Sequence, residues 1–181
     1  MNNSSVSPKI GLALGAGASR GWSHVGVIKA LLREGIDPDI VCGTSVGAIV
    51  GGSYVAGNLE KLEQWVLGST RSDVLRFFDI GFSKTGFVDT DRLSWFLHNY
   101  VAAEDQLIED MLKTFAAVST NLDSGREVWF VEGRLTDAVR ASMSLPGLLL
   151  KGNPSMRSEM TWTPWKLQNI YMVHFMAFYR E

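Results

Sequence analysis

Apolar positions along the chain change their period several times, and each change marks an element. Residues 9–14, KIGLAL, form a short apolar run between Pro8 and Gly15, as a strand buried on both faces does. Val25, Ile28, Leu31 and Leu32 then fall at helical spacing, and Gly35 follows them as a stop. Residues 39–42, DIVC, predict a second strand. The small-residue stretch 48–56, AIVGGSYVA, reads as a helix buried all round. Its two glycines each cost roughly 1 kcal/mol relative to alanine, so close packing against a sheet is expected to offset them. Further along, 59–66, 90–98 and 104–113 have helical spacing. Residues 115–119 and 128–131 read as strands around a turn at 121–125, and 135–143 as a helix stopped by Pro146 and Gly147. Strands alternating with helices predict an α/β layer fold.

Length allows one domain with a substantial core and not two, at 181 residues. The net charge of -2, with no run of Lys and Arg, supplies no basic field and argues against a nucleic-acid partner. The single cysteine, Cys42, cannot form an internal disulfide, and no Cys/His pair has zinc-ligand spacing. A reducing compartment, the cytoplasm, is the expected location, with no metal and no cofactor implied. The leading MNNSSVSPK lacks a positive segment ahead of an apolar one, and no window reaches the roughly 20 apolar residues of a membrane span.

Chemistry enters at Gly43-Thr44-Ser45-Val46-Gly47, a G-x-S-x-G between a predicted strand and a predicted helix. A serine on such a turn projects its hydroxyl from the carboxyl edge of the sheet toward a helix N-terminus, and flanking glycines remove the Cβ atoms that would clash. Five residues with three fixed positions also recur by chance, so the strand and helix context is what makes Ser45 a candidate nucleophile. Such a serine needs donors for the oxyanion it creates. The loop Gly15-Ala16-Gly17-Ala18-Ser19-Arg20-Gly21 follows the first strand, opens a helix, and has side chains small enough to expose its backbone N–H groups. A dinucleotide fingerprint would want glycine at Arg20 and an acid at the end of the second strand, and a phosphate loop would want Gly-Lys-Ser/Thr. Neither pattern is present.

Four blocks, GLALGAGASRGWSHVGVIKAL, GTSVGAIVGG, FAAVSTNLDSGREVWFVEG and AVRASMSLPG, resemble the bacterial patatin-like phospholipases in order and spacing over residues 9–149. The resemblance implies a patatin-like three-layer α/β/α sandwich with a mostly parallel sheet, over a domain at 9–150. It implies Ser45 as the nucleophile on lipid acyl esters, Gly43 and Gly47 as the elbow glycines, and Gly15, Gly17, Arg20 and Gly21 as the oxyanion loop. Ala16 and Ala18 stand where many relatives have glycine, and a φ below zero suits both. In that family an aspartate of a later Asp-Gly motif acts directly on the serine. This chain has no aspartate after Asp137, and Glu159 and Glu181 are not followed by glycine. The dyad aspartate is therefore missing, the sheet is expected to be incomplete at its C-terminal end, and one edge is expected to lie uncovered.

Other bases are poorer candidates. Asp123 sits in a turn, where Asp and Gly belong for conformational reasons. His24 belongs to the packing of the first helix, His98 to a helix C-terminus, and His174 to the tail at 151–181. That tail is crowded with aromatic residues and methionine and shows no strand period. Two functions remain: a serine lipid acyl hydrolase acting through an acyl-Ser45 intermediate, with a lipid or ester substrate and a passing membrane contact, or an impaired fragment that keeps a lipid-binding cleft. A nucleotide-binding α/β domain is a weaker third.

Overall fold

The computed structural model describes residues 9–70, 90–121, 124–143 and 170–175. Strand β1 (Lys9–Leu14) leads through a 3-10 turn (Ala18–Trp22) into α1 (Ser23–Arg33). Then come β2 (Ile40–Thr44), α2 (Val46–Val55), α3 (Leu59–Gly68), α4 (Thr90–Tyr100), β3 (Thr114–Thr120), β4 (Glu127–Phe130), α5 (Leu135–Met143) and β5 (Ile170–Phe175). The strands form one sheet in the order β4-β3-β2-β1-β5. Four are parallel, and β4 runs antiparallel to β3 at one edge. Gly11 to Leu14 are all buried, so both faces of the internal strand β1 are covered, as in an α/β sandwich.

Helix α2 sits at the centre of the core. Every residue from Val46 to Tyr54 is buried, which explains a sequence with no polar face. A Cβ on Gly51 would come within 3.0 Å of Val41 Cγ1 and 3.2 Å of Leu14 Cδ1, so the glycine lets the helix lie close on the sheet. The fully buried Ser53 hydroxyl donates to the Tyr100 carbonyl at 2.8 Å, and Asn58 Nδ2 donates to the Val101 carbonyl at 2.9 Å. Together they satisfy carbonyls left open at the end of α4.

Two local expectations fail. Residues 104–113 form turns and bends rather than a helix, because their backbone is captured by the loop before α5. Ile108 N–H donates to the Gly133 carbonyl, Leu135 N–H to the Gln106 carbonyl, and Gly133 N–H to the Glu109 carboxylate. Of the apolar residues that suggested a helix, Ile108 is buried while Leu112 is fully exposed. The second failure lies in the tail, where 170–175 forms β5 in parallel register with β1, Lys9 opposite Ile170 and Leu14 opposite Phe175. A tail read as having no strand period thus supplies the outer neighbour of β1. Asp123, the Pro146-Gly147 stop and the rest of the tail lie outside the described residues.

Candidate active site

Ser45 occupies the single residue between β2 and α2, with φ 55° and ψ -120°. A non-glycine residue held there stores about 1–3 kcal/mol of backbone strain, so the surrounding structure must impose it. The two glycines of the motif show how. A Cβ on Gly43 would sit 2.3 Å from the Gly47 carbonyl oxygen, and one on Gly47 would sit 2.2 Å from the Leu14 carbonyl oxygen. No side chain fits at either place, and the elbow therefore seats directly on the end of β1.

The glycine loop meets the elbow from that side. Gly47 abuts the carbonyls of Leu14 and Gly15, and Gly21 packs against Val46, where an added Cβ would overlap Val46 Cγ1 at 2.0 Å. Arg20 N–H donates to the Gly17 carbonyl at 3.0 Å and closes the turn, with the Arg20 side chain exposed. That bond is the first of its 3-10 turn, so the N–H groups of Ala18 and Ser19 precede any partner within it. Gly17, at φ 171°, is simply extended, but Ala18 holds φ 46°, contrary to the expectation that an alanine here needs only a negative φ.

His24 anchors the same loop. It is buried, and its Nε2 lies 2.9 Å from the Gly15 carbonyl oxygen, which can only accept, so Nε2 carries the hydrogen. A trans peptide points its N–H opposite its C=O. By fixing the Gly15 carbonyl, His24 therefore fixes the direction of the Ala16 N–H. The expected packing role stands, and the contact with the loop is an addition to it.

On the other flank, Ser142 Oγ accepts the Ser45 backbone N–H at 2.9 Å and donates to the Val118 carbonyl of β3. Val46 and Gly47, in the first turn of α2, have N–H groups with no acceptor inside the helix, and the helix dipole adds positive potential there. Ser45 is half-buried, and among the described residues nothing hydrogen-bonds its Oγ. Burial pushes the neighbouring Cys42 thiol up, away from thiolate chemistry.

The acid and base candidates that the structure describes sit on elements other than the elbow. Asp137 pairs with Arg140 in the first turn of α5, five residues before Ser142 and so about 7.5 Å back along the axis. The register puts the backbone of His174 level with Cys42 but two strands away, roughly 14 Å from Ser45. His98 lies exposed in the last turn of α4. Among the described residues no cluster of His, Cys, Asp and Glu could hold a metal ion.

A strained serine between strand and helix, a glycine loop from the adjacent parallel strand and a clamp of Gly43 and Gly47 form one unit at the carboxyl edge of the sheet. The family model of patatin-like phospholipases matches residues 12–167. The chain belongs to that family. It is 37% identical over 145 residues to an uncharacterized NTE family protein of Mycobacterium tuberculosis, covering 80% of this chain and 40% of that one. It is 34% identical over 151 residues to the lysophospholipase NTE1 of Scheffersomyces stipitis, covering 77% of this chain and 9% of the relative. A patatin-like phospholipase domain-containing protein of Caenorhabditis elegans is 33% identical over 145 residues, 77% of this chain and 10% of its own. The patatin-like chain thus spans less than half the length of these curated relatives.

Sequence reasoning located the elbow and the loop, which this family fold brings together. It missed Ser142, although the residue lies in the quoted AVRASMSLPG block, because a serine in a helix has no spacing signal of its own.

Proposed function

We propose that this patatin-like chain is a serine lipid acyl hydrolase. The observation that carries the reading is Ser45 held at φ 55° on the strand-to-helix turn, with the glycine loop seated against it. Ser45 Oγ attacks the ester carbonyl carbon, and the carbonyl oxygen becomes an oxyanion. Donors available to it are the loop N–H groups from Ala16 to Ser19 and those opening α2, with the α2 dipole behind them. The ester C–O bond breaks and the alcohol leaves with the proton that Ser45 gave up; water then adds to acyl-Ser45, returns a proton to Ser45 and releases the fatty acid. The Ser45 N–H, already bonded to Ser142, takes no part in stabilising the oxyanion. Arg20 supports the loop through its backbone turn.

Lysophospholipids are the first substrates to test, since fungal relatives are named lysophospholipases. The setting proposed is the cytoplasm, in passing contact with a lipid surface. No helix among the described residues is long and apolar enough to cross a membrane.

A second reading, a lipid-binding cleft with little turnover, is favoured by one observation: no base reaches Ser45 Oγ among the described residues. Serine enzymes stripped of their base keep a residual rate on the order of a thousandfold or more above water. Labelling with a fluorophosphonate probe separates the two. Stoichiometric labelling, lost in Ser45→Ala together with ester turnover, is the expected result. A chain that binds lysophospholipid but never labels belongs to the second reading.

A further inference from the structure

We infer that Ser142 is a positioning residue for Ser45, holding the nucleophile elbow through the backbone N–H of the serine itself. The inference rests on the hydrolase reading for its catalytic consequence and on geometry alone for its structural part.

The elbow creates a donor with no natural partner. β2 ends at Thr44 and α2 starts at Val46, so the Ser45 N–H belongs to neither ladder nor helix. At φ 55° the chain after Ser45 turns sharply off the strand path, and the N–H is left at the corner between β2 and α2. An N–H held from water with no acceptor costs stability in a turn that is already strained. Ser142 Oγ removes that cost at 2.9 Å.

The direction of this bond is fixed. A hydroxyl has one hydrogen, and that of Ser142 is given to the Val118 carbonyl, leaving a lone pair for Ser45. Val118 is the register partner of Thr44, the residue before the nucleophile. The Ser142 hydroxyl therefore ties together β3, the C-terminal turn of α5 and the elbow. Alanine cannot reproduce this, and a thiol reproduces it poorly, since sulfur is a weak donor and a weak acceptor.

The structure also supplies its own control. Ser119 Oγ donates to the Ala141 carbonyl at 3.0 Å, fastening the same turn of α5 to the same strand without touching Ser45. If the Ser142 hydroxyl only docked α5 on the sheet, losing either hydroxyl would have the same effect. If it positions the nucleophile, only Ser142 matters to the chemistry.

The test compares Ser142→Ala, Ser142→Cys, Ser142→Thr and Ser119→Ala in the full chain by two readouts. Amide hydrogen exchange at Ser45, followed by NMR, reports the bond itself. Fluorophosphonate labelling, with kcat and KM on a short-chain nitrophenyl ester, reports its consequence. Ser142→Ala and Ser142→Cys are expected to speed exchange at Ser45 and slow labelling by roughly tenfold or more, the loss of one hydrogen bond to a constrained donor. The fall should appear in kcat with KM unchanged, and Ser142→Thr, which keeps the hydroxyl, should recover most of it. Ser119→Ala should lower the melting temperature and leave both readouts within about twofold of the parent, as a bond remote from the elbow does. Equal effects of Ser119→Ala and Ser142→Ala, or unchanged exchange at Ser45 in both Ser142→Ala and Ser142→Cys, overturns the inference. Should Ser142→Ala not fold, Ser142→Cys and Ser142→Thr decide between the same outcomes. A parent chain that never labels removes the hydrolase reading, and exchange at Ser45 then judges the positioning role by itself.

Discussion

Ala18 carries one of two positive φ values found at non-glycine residues among those described, the other being Ser45. A Cβ in the left-handed region costs roughly 1 kcal/mol relative to glycine, so Ala18→Gly removes strain but loosens the unfolded chain. The expected net effect on stability is small, within about 1 kcal/mol by urea unfolding, while the loop keeps its path and the labelling rate at Ser45 stays near the parent value. Gly47→Ala has no such latitude, because its new carbon falls against the backbone of β1. Loss of Ser45 labelling together with a drop in melting temperature is expected there. His24→Leu keeps bulk in the core but leaves the Gly15 carbonyl without its donor, at a cost of about 1–3 kcal/mol. Labelling should fall as well, since the Ala16 N–H is no longer held in one direction. The sequence made Ser45, Gly43 and Gly47 visible because a motif of small residues at fixed spacing has a steric cause. Ala18 escaped because alanine ordinarily takes a negative φ, and nothing in its own neighbours marks the turn that forces a positive one.

Elements were most legible where one cause sufficed. β1 was readable to the residue, since a buried parallel strand is an unbroken apolar run, and α2 was readable as a helix without a polar face. Residues 104–113 were not readable, because competition from the 133–135 backbone is invisible in a local pattern. The same limit hides the latch at the opposite edge of the sheet from Ser45. There Asp37, before β2, receives Lys113, before β3, at 2.8 Å, and it accepts the hydroxyl of Tyr54 in α2. The Lys113 ammonium and then the Tyr54 hydroxyl hold the Asp37 carboxyl below its usual range. A carboxyl held low in the folded chain stabilises it above the unfolded value, near pH 4, and that contribution fades as pH falls further. Tyr54 moves the other way, pushed up by burial and by Asp37. Its contribution is present below about pH 10 and is lost as pH rises beyond it. Stability measured across pH should therefore fall at both extremes. In Tyr54→Phe the alkaline fall should diminish, and in Asp37→Asn the acid fall should shrink, though modestly, because the carboxylate is largely exposed.

For the molecule as a whole, the sheet edge decides solution behaviour. β5 covers the outer side of β1 by six register pairs, so the parent chain is not expected to stack edge to edge through that strand. Proline at Met172, opposite Gly11, places a residue with a fixed φ and no N–H in the middle of β5. Met172→Pro should shift the chain to larger species in size-exclusion chromatography and lower its melting temperature. An unchanged elution profile would mean that the β1 edge does not depend on β5. The tail was illegible as a strand because its pairing partner lies about 160 residues earlier, and no local period records so distant a neighbour. That separation also has a meaning in time. A ribosome adding about 5–20 residues per second needs roughly 8–30 s to pass from Leu14 to Phe175. Throughout that interval the glycine loop and the elbow can assemble on β1 and β2 while the far side of β1 still lacks its neighbour. The nascent chain thus carries an open strand edge until residues 170–175 emerge.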